Sequence, residues 1–180
     1  MNTLPEALAD VTHAFRHLEF AIRLMCHCEQ GHLDLANFDS DLSLLLTHEN
    51  VGFEAGRFAT LESIIPPAQA LVSVAFGASA MVLNAAFDVA GGARKPTSRL
   101  PEDELRTLVY MVRCAFAHNP AFPLWKARGK EFVRQLSLPL DSGSLTVDLR
   151  LLNGKPFEYE HIGGFANWLK IRAACEVLLK

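Results

Sequence analysis

Residues 3–29 read TLPEALADVTHAFRHLEFAIRLMCHCE, and the spacing of their apolar side chains decides the class of the fold. Leu4, Leu8, Val11, Phe15, Leu18, Ile22 and Met25 recur at steps of four and three. Such steps lay one continuous stripe along an α-helix, and the stripe must be buried within a bundle or against a second copy. Thr3 and Glu6 are spaced as a capping box at its start. Pro5 fits the first turn, where its missing N–H has no intrahelical partner to lose. Gly31 suits the stop.

Outward from that helix the pattern weakens and then returns. Asp34, Asn37, Asp39, Ser40 and Asp41 predict a loop that gives way to Leu42–Leu46, with a short helix around Gly56–Ser63. Ile64–Phe87 carries no charge over its whole length, which raises the question of a membrane span. Against a span stand Pro66-Pro67, Gln69, Ser73, Ser79 and Asn84, a preference for Ala over Leu, and the lack of a flanking Lys/Arg bias. The stretch reads instead as a helix buried on all sides. Its small residues Ala75, Gly77, Ala78, Ser79 and Ala80 would let neighbours approach closely.

Gly91-Gly92 closes that helix and 93–99 reads as a basic loop. Pro101 opens another helix, with Glu102, Asp103 and Glu104 beside the positive end of its dipole. Leu105, Leu108, Val109, Val112 and Phe116 form its apolar face, and Pro120 ends it. From 132 to 158 the period shortens to two. Val133, Leu136, Leu138 and Leu140 lead into the turn Asp141-Ser142-Gly143-Ser144, and Val147, Leu149 and Leu151 alternate after it. Asn153-Gly154 is a hairpin signal before Lys155–Tyr159. Phe165, Leu169, Ala173 and Val177 then mark a last helix. The expected fold is mainly α: an up-and-down helical bundle with a small antiparallel β-hairpin or meander before the last helix. One domain is expected over 1–180, with the hairpin inserted at about 132–158.

With 180 residues, half of them hydrophobic, the chain can bury a sizeable core. Its net charge of −3 excludes a broad basic face of the kind that coats nucleic acid. The charge is unevenly spread, however. Residues 94–134 hold nine Lys/Arg against four Asp/Glu, while residues 1–93 hold three against eleven. A polyanion should therefore meet the middle of the chain. Cys26, Cys28, Cys114 and Cys175 suit reduced thiols packed in a cytoplasmic protein better than a disulfide framework, and no signal peptide is evident.

The basic stretch contains Val112-Arg113-Cys114-Ala115-Phe116-Ala117-His118-Asn119-Pro120 at the end of its helix. Arg113 and His118, four residues between them and followed by Asn119, resemble the R-x4-H signature of the HEPN family of helical bundles. The resemblance covers about ten residues. It implies a compact, often dimeric bundle and metal-independent cleavage of RNA, in a toxin- or defence-like protein that an inhibitory partner holds in check. Cys114 departs from the pattern, because catalytic members often carry Asn, Asp or His after the arginine. A thiol is a poorer hydrogen-bonding group than these.

The two residue types suit that chemistry on their own terms. Histidine titrates near neutral pH and can take a proton from a ribose 2′-hydroxyl or give one to a leaving oxygen. Arginine stays charged and can grip two phosphate oxygens as the transition state forms. Arg113 and His118 are thus the candidate catalytic pair. Arg106, Tyr110 and Arg113, at steps of four and three, make a basic and aromatic strip toward them. Arg106, Tyr110, Asn119, Lys126 and Arg128 are the candidate substrate contacts. Positions five apart lie about 140° apart around an ideal helix. The pair converges only if the helix ends before His118 or if two copies meet.

Two other readings stay open. Arg113 ion-pairs with an acidic neighbour while His118 caps its own helix end, or the domain is a non-catalytic dimerisation or binding module for a protein or nucleotide. The expected partners are RNA or a nucleotide and a second copy, with no membrane. No cofactor or metal is expected, since Cys26, His27, Cys28 and His32, or His13 and His17, do not converge as ligands on one helix.

Overall fold

The computed structural model describes residues 3–91, 100–141 and 143–180. The basic loop expected at 93–99, Gly92 and Ser142 of the second turn lie outside them. The described residues form five helices and two antiparallel strand pairs: α1 (Leu4–Glu29), α2 (Leu35–Phe38), β1 (Leu42–Leu45), β2 (Asn50–Phe53), α3 (Leu61–Val89), α4 (Pro101–Phe116), β3 (Gln135–Leu140), β4 (Gly143–Asp148) and α5 (Phe165–Leu178). The fold is mainly α with a small hairpin before the last helix, as the periodicities predict, and another small hairpin at β1–β2 that they do not. The chain divides into two compact units. One is the chain up to Arg16 with Ser73–Lys180; the other is His17–Val72.

His17–Val72 has a small core of its own. Cys28, Ile64 and Ala68 are buried, and Leu24, Leu33, Leu35 and Phe58 pack against them. The acidic loop folds on its own carboxylates. Asp34 accepts the Asn37 N–H at the start of α2, and Asp39 accepts the N–H groups of Gly56 and Arg57 at 2.8 and 3.1 Å. The loop expected at 34–41 contains the single turn α2, and residues 42–53 after it form a hairpin, with Leu42 opposite Phe53. Residues 55–60 are bends, so the short helix expected at 56–63 is absent and α3 begins directly at Leu61. Pro66 and Pro67 stand inside α3 rather than at its start.

In the larger unit Phe76 of α3 is the hub. Its ring lies 5.3 Å from Phe116, 5.4 Å from Phe157, 5.1 Å from Tyr159 and 4.9 Å from Trp168. The buried Trp168 indole donates to Ser79 Oγ at 2.9 Å, and Ser79 donates to the Phe76 carbonyl. The expectation that small residues on α3 permit close approach holds at Gly77, where a Cβ would come within 2.7 Å of the Phe116 ring. The end of α4 thus sits directly on α3. The helix is not buried on all sides, as its uniform apolarity suggested: Val74 and Met81 remain 41% and 48% exposed. α3 is long and apolar enough to cross a membrane, and 56% of its most apolar stretch is buried inside the fold.

The second hairpin follows the alternation in the sequence. Leu136 pairs with Val147 and Leu138 with Leu145, and Leu136, Leu138 and Val147 are buried. Of the two alternatives, hairpin or meander, the hairpin forms, and among the described residues no third strand joins it. Asp148 accepts the Arg150 N–H and also holds the Arg150 guanidinium at 2.6 and 2.8 Å, which turns Leu149–Leu151 into one turn of 3-10 helix. Leu149 is therefore buried while Leu151 is exposed, and Asn153-Gly154 closes no hairpin.

Candidate functional site

α4 carries the two candidate catalytic residues at its end, and its start explains how it is held. Pro101 occupies the first helical position, and Glu102, Asp103 and Glu104 fill the first turn. Glu104 does more than favour the dipole. It is buried and accepts from the Arg134 guanidinium and the Ser137 backbone N–H, which ties α4 to β3. A buried carboxylate needs such partners to stay charged away from water.

The helix stops at Phe116, with Ala117 as its C-cap, so His118 lies outside it. Pro120 supplies the reason. Its ring would clash with the Phe116 carbonyl in a continuing helix, and it pushes Asn119 out of the α region. Asn119 accepts the Phe122 N–H through its side chain at 3.2 Å and closes the turn. The early stop meets the condition under which the Arg113 and His118 side chains escape the 140° separation.

They share a depression of about 210 Å³, lined by Tyr110, Arg113, Cys114, His118, Lys126, Arg128 and Phe132 among others. Five of the seven residues singled out in the sequence are therefore brought together. Three permanent cations and a histidine converge there, and no Asp or Glu lines the depression. His118, Lys126 and Arg128 are exposed, while Arg113 and Tyr110 are partly buried. The Arg113 guanidinium lies 4.0 Å from Cys114 Sγ; among the described residues no carboxylate pairs with it. The reading in which an acidic neighbour holds Arg113 finds no support.

Lys126 and Arg128 reach the depression because burial alternates along residues 124–128. Trp125 and Ala127 are buried; Leu124, Lys126 and Arg128 are exposed. Backbone bonds from Trp125 N to Lys155 O and from Gly154 N to Trp125 O hold the segment, both under 3.0 Å. The buried indole donates to His161 Nδ1 at 3.0 Å, and the Glu158 N–H donates to the same atom at 3.1 Å. Two donors on Nδ1 place the imidazole proton on Nε2. Sequence reasoning missed this anchor, although the apolar–charged alternation of Leu124-Trp125-Lys126-Ala127-Arg128 signals it. It also missed Phe132, whose ring stacks on Tyr110 at 5.4 Å.

Two expected contacts fall elsewhere. Arg106 does not extend the strip: it is 3% exposed, pairs with Asp88 at 2.7 Å and lies 5.2 Å over the Phe87 ring. Its spacing was right, but packing turned its head inward. Asn119 shapes the turn and does not line the depression.

The other candidate ligands stay apart. Cys28 is in a core and His27 and His32 meet edge to face at 5.7 Å. Among the described residues no three His, Cys, Asp or Glu are placed to hold a metal. Burial pushes the Cys175 thiol well above the ordinary thiol range, as expected of an inert core cysteine. No family model, no curated protein and no solved structure matches the chain.

Proposed function

We propose that the chain is a HEPN-type endoribonuclease that cleaves RNA without a metal ion. The observation that carries this reading is the shared depression: Arg113 without an acidic partner among the described residues, His118 released from the helix, and two further cations on one wall. In the reaction the ribose 2′-hydroxyl loses its proton and its oxygen attacks the adjacent phosphorus. The bond from phosphorus to the 5′-oxygen breaks, and that oxygen takes up a proton. The products are a 2′,3′-cyclic phosphate and a 5′-hydroxyl. His118 serves one of the two proton transfers, and Arg113 grips the phosphate oxygens as their charge grows. A second copy of the chain would bring a second imidazole for the other transfer.

The test is cleavage of single-stranded RNA in the presence of EDTA. Wild type should release cyclic-phosphate ends. His118→Ala should slow cleavage by on the order of 10²- to 10⁴-fold, the usual contribution of a positioned acid or base. Equal cleavage by both proteins would overturn the reading. Cys114, where a polar residue is usual, favours a second reading: a non-catalytic module that binds nucleotide or protein through the same depression. It predicts binding that Arg113→Ala weakens, and no cleavage of any RNA.

A further inference from the structure

The stretch of chain that carries His118 lines a second hollow. Phe116, Phe122, Leu124, Phe157 and Tyr159 form most of a cleft of about 400 Å³, and among the described residues no charged side chain lines it. Its floor is built of packed rings. Phe116 and Phe157 meet at 4.9 Å, and Phe157 and Tyr159 pack edge to face at 5.7 Å. Its rim is open to water. Phe122 stands 77% exposed, a large ring left in water at the mouth of an apolar cleft. The Tyr159 hydroxyl has no protein partner among the described residues, and burial with the Glu160 carboxylate nearby keeps it protonated, so it can donate.

The chemistry of the occupant follows from both hollows together. His118 and Phe122 are four residues apart, so their Cα atoms are separated by at most about 14 Å. A ligand that reaches from one to the other meets three cations and an imidazole, then an aromatic cleft with the hydroxyls of Tyr159 and of Ser73, the latter already donating to the Pro120 carbonyl. Anionic groups alternating with flat, neutral, polar-edged rings are the constitution of a single nucleic-acid strand. An apolar peptide would fill the cleft and leave the cations unused.

We infer that the cleft between Phe116, Phe122, Phe157 and Tyr159 is a nucleobase site, taking one unpaired base of the strand whose phosphate lies at Arg113 and His118. The choice of RNA for that strand rests on the ribonuclease reading; the base site itself does not require cleavage. Phe122 stacks on the base, and the Tyr159 hydroxyl donates to its polar edge.

Fluorescence anisotropy of a labelled single-stranded RNA oligomer, 2′-O-methylated throughout, tests this, because its blocked 2′-oxygens cannot attack. Phe122→Ala should weaken binding by roughly 5- to 150-fold, the loss expected for one stacked base. Phe122→Trp should retain it. Phe122 is exposed, so neither variant threatens the fold. On an oligomer of equal length built of abasic residues, which keeps the phosphates, Phe122→Ala and wild type should bind alike. Three results overturn the base site: equal binding of the base-bearing oligomer by wild type and Phe122→Ala, the same loss on the abasic oligomer, or no binding by wild type. The nuclease reading is scored separately on cleavable RNA with His118→Ala. A protein that cuts RNA but ignores Phe122 loses the base site alone. One that never cuts, yet binds through Phe122 in a base-dependent way, loses the nuclease alone.

Discussion

Arg106 and Arg113 stand seven residues apart on α4, about 20° from each other around the helix, and their surroundings are opposite. The first lies over Phe87 with its head on Asp88, closed from water. The second opens on the depression beside Cys114, with no carboxylate among the described residues. The early turns of α4 are held by Glu104, which reaches β3 through Ser137 and Arg134. The last two turns are bordered by 126–132 instead, a segment that presents Lys126 and Arg128. The difference teaches that charge and spacing put a guanidinium on a face, while the neighbour covering that face decides whether it stabilises the fold or meets a ligand.

The largest effect should come from breaking the exposed member. Arg113→Ala should lower RNA cleavage by on the order of 10²- to 10³-fold, the cost of losing one donor to developing phosphate charge. Its folding stability should stay within about 0.5 kcal/mol of wild type, as for a half-buried side chain with no carboxylate partner among the described residues. Initial rates and thermal melts on the same preparation check both halves.

Arg106→Ala should show the reverse. It removes the Arg106 guanidinium from Asp88 and leaves a space over Phe87, for about 2–3 kcal/mol, discounted because Asp88 is partly solvated. In a chain of this size that lowers the melting temperature by roughly 5–10 °C. Cleavage per folded molecule should be unchanged. If Arg106→Ala instead depresses cleavage without loss of stability, the contrast fails.

His161→Ala sharpens the comparison from outside α4. The buried Trp125 N–H loses its acceptor, which should cost about 1–3 kcal/mol. The loop that carries Lys126 and Arg128 loses its anchor at the same time, so RNA affinity should fall along with stability. The smallest effects belong to the rim. Lys126→Ala and Arg128→Ala should each flatten the slope of log affinity against log salt by about 0.7, the counterion share of one phosphate contact on a single strand. A salt titration that leaves the slope unchanged would remove either residue from the strand's path.

Much of this was legible in the chain itself. The four-and-three spacing marks α1, Pro101 and its acids mark the start of α4, and alternation with a turn marks β3 and β4, because each is a short-range pattern tied to a local period. The gathering of Arg113, His118, Lys126 and Arg128 was legible as a charge surplus. The hairpin at 42–53 was not. Its side chains are largely exposed, so no burial imposes alternation on them. The end of β4 at Asp148 was not legible either, because the Asp148–Arg150 clasp competes with the ladder at the point where Leu149 would continue it.

By itself, then, the sequence determined the four long helices, the second hairpin, the early stop of α4 before Pro120 and the place along the chain where positive charge collects. These depend on residues within a turn or two of one another. Only the tertiary structure decided which arginine faces inward, that Trp125 and His161 pin the basic segment, and that an aromatic cleft lies beside the cations. Each of those rests on contacts between residues far apart in the chain, where burial and hydrogen-bond partners override what local spacing predicts.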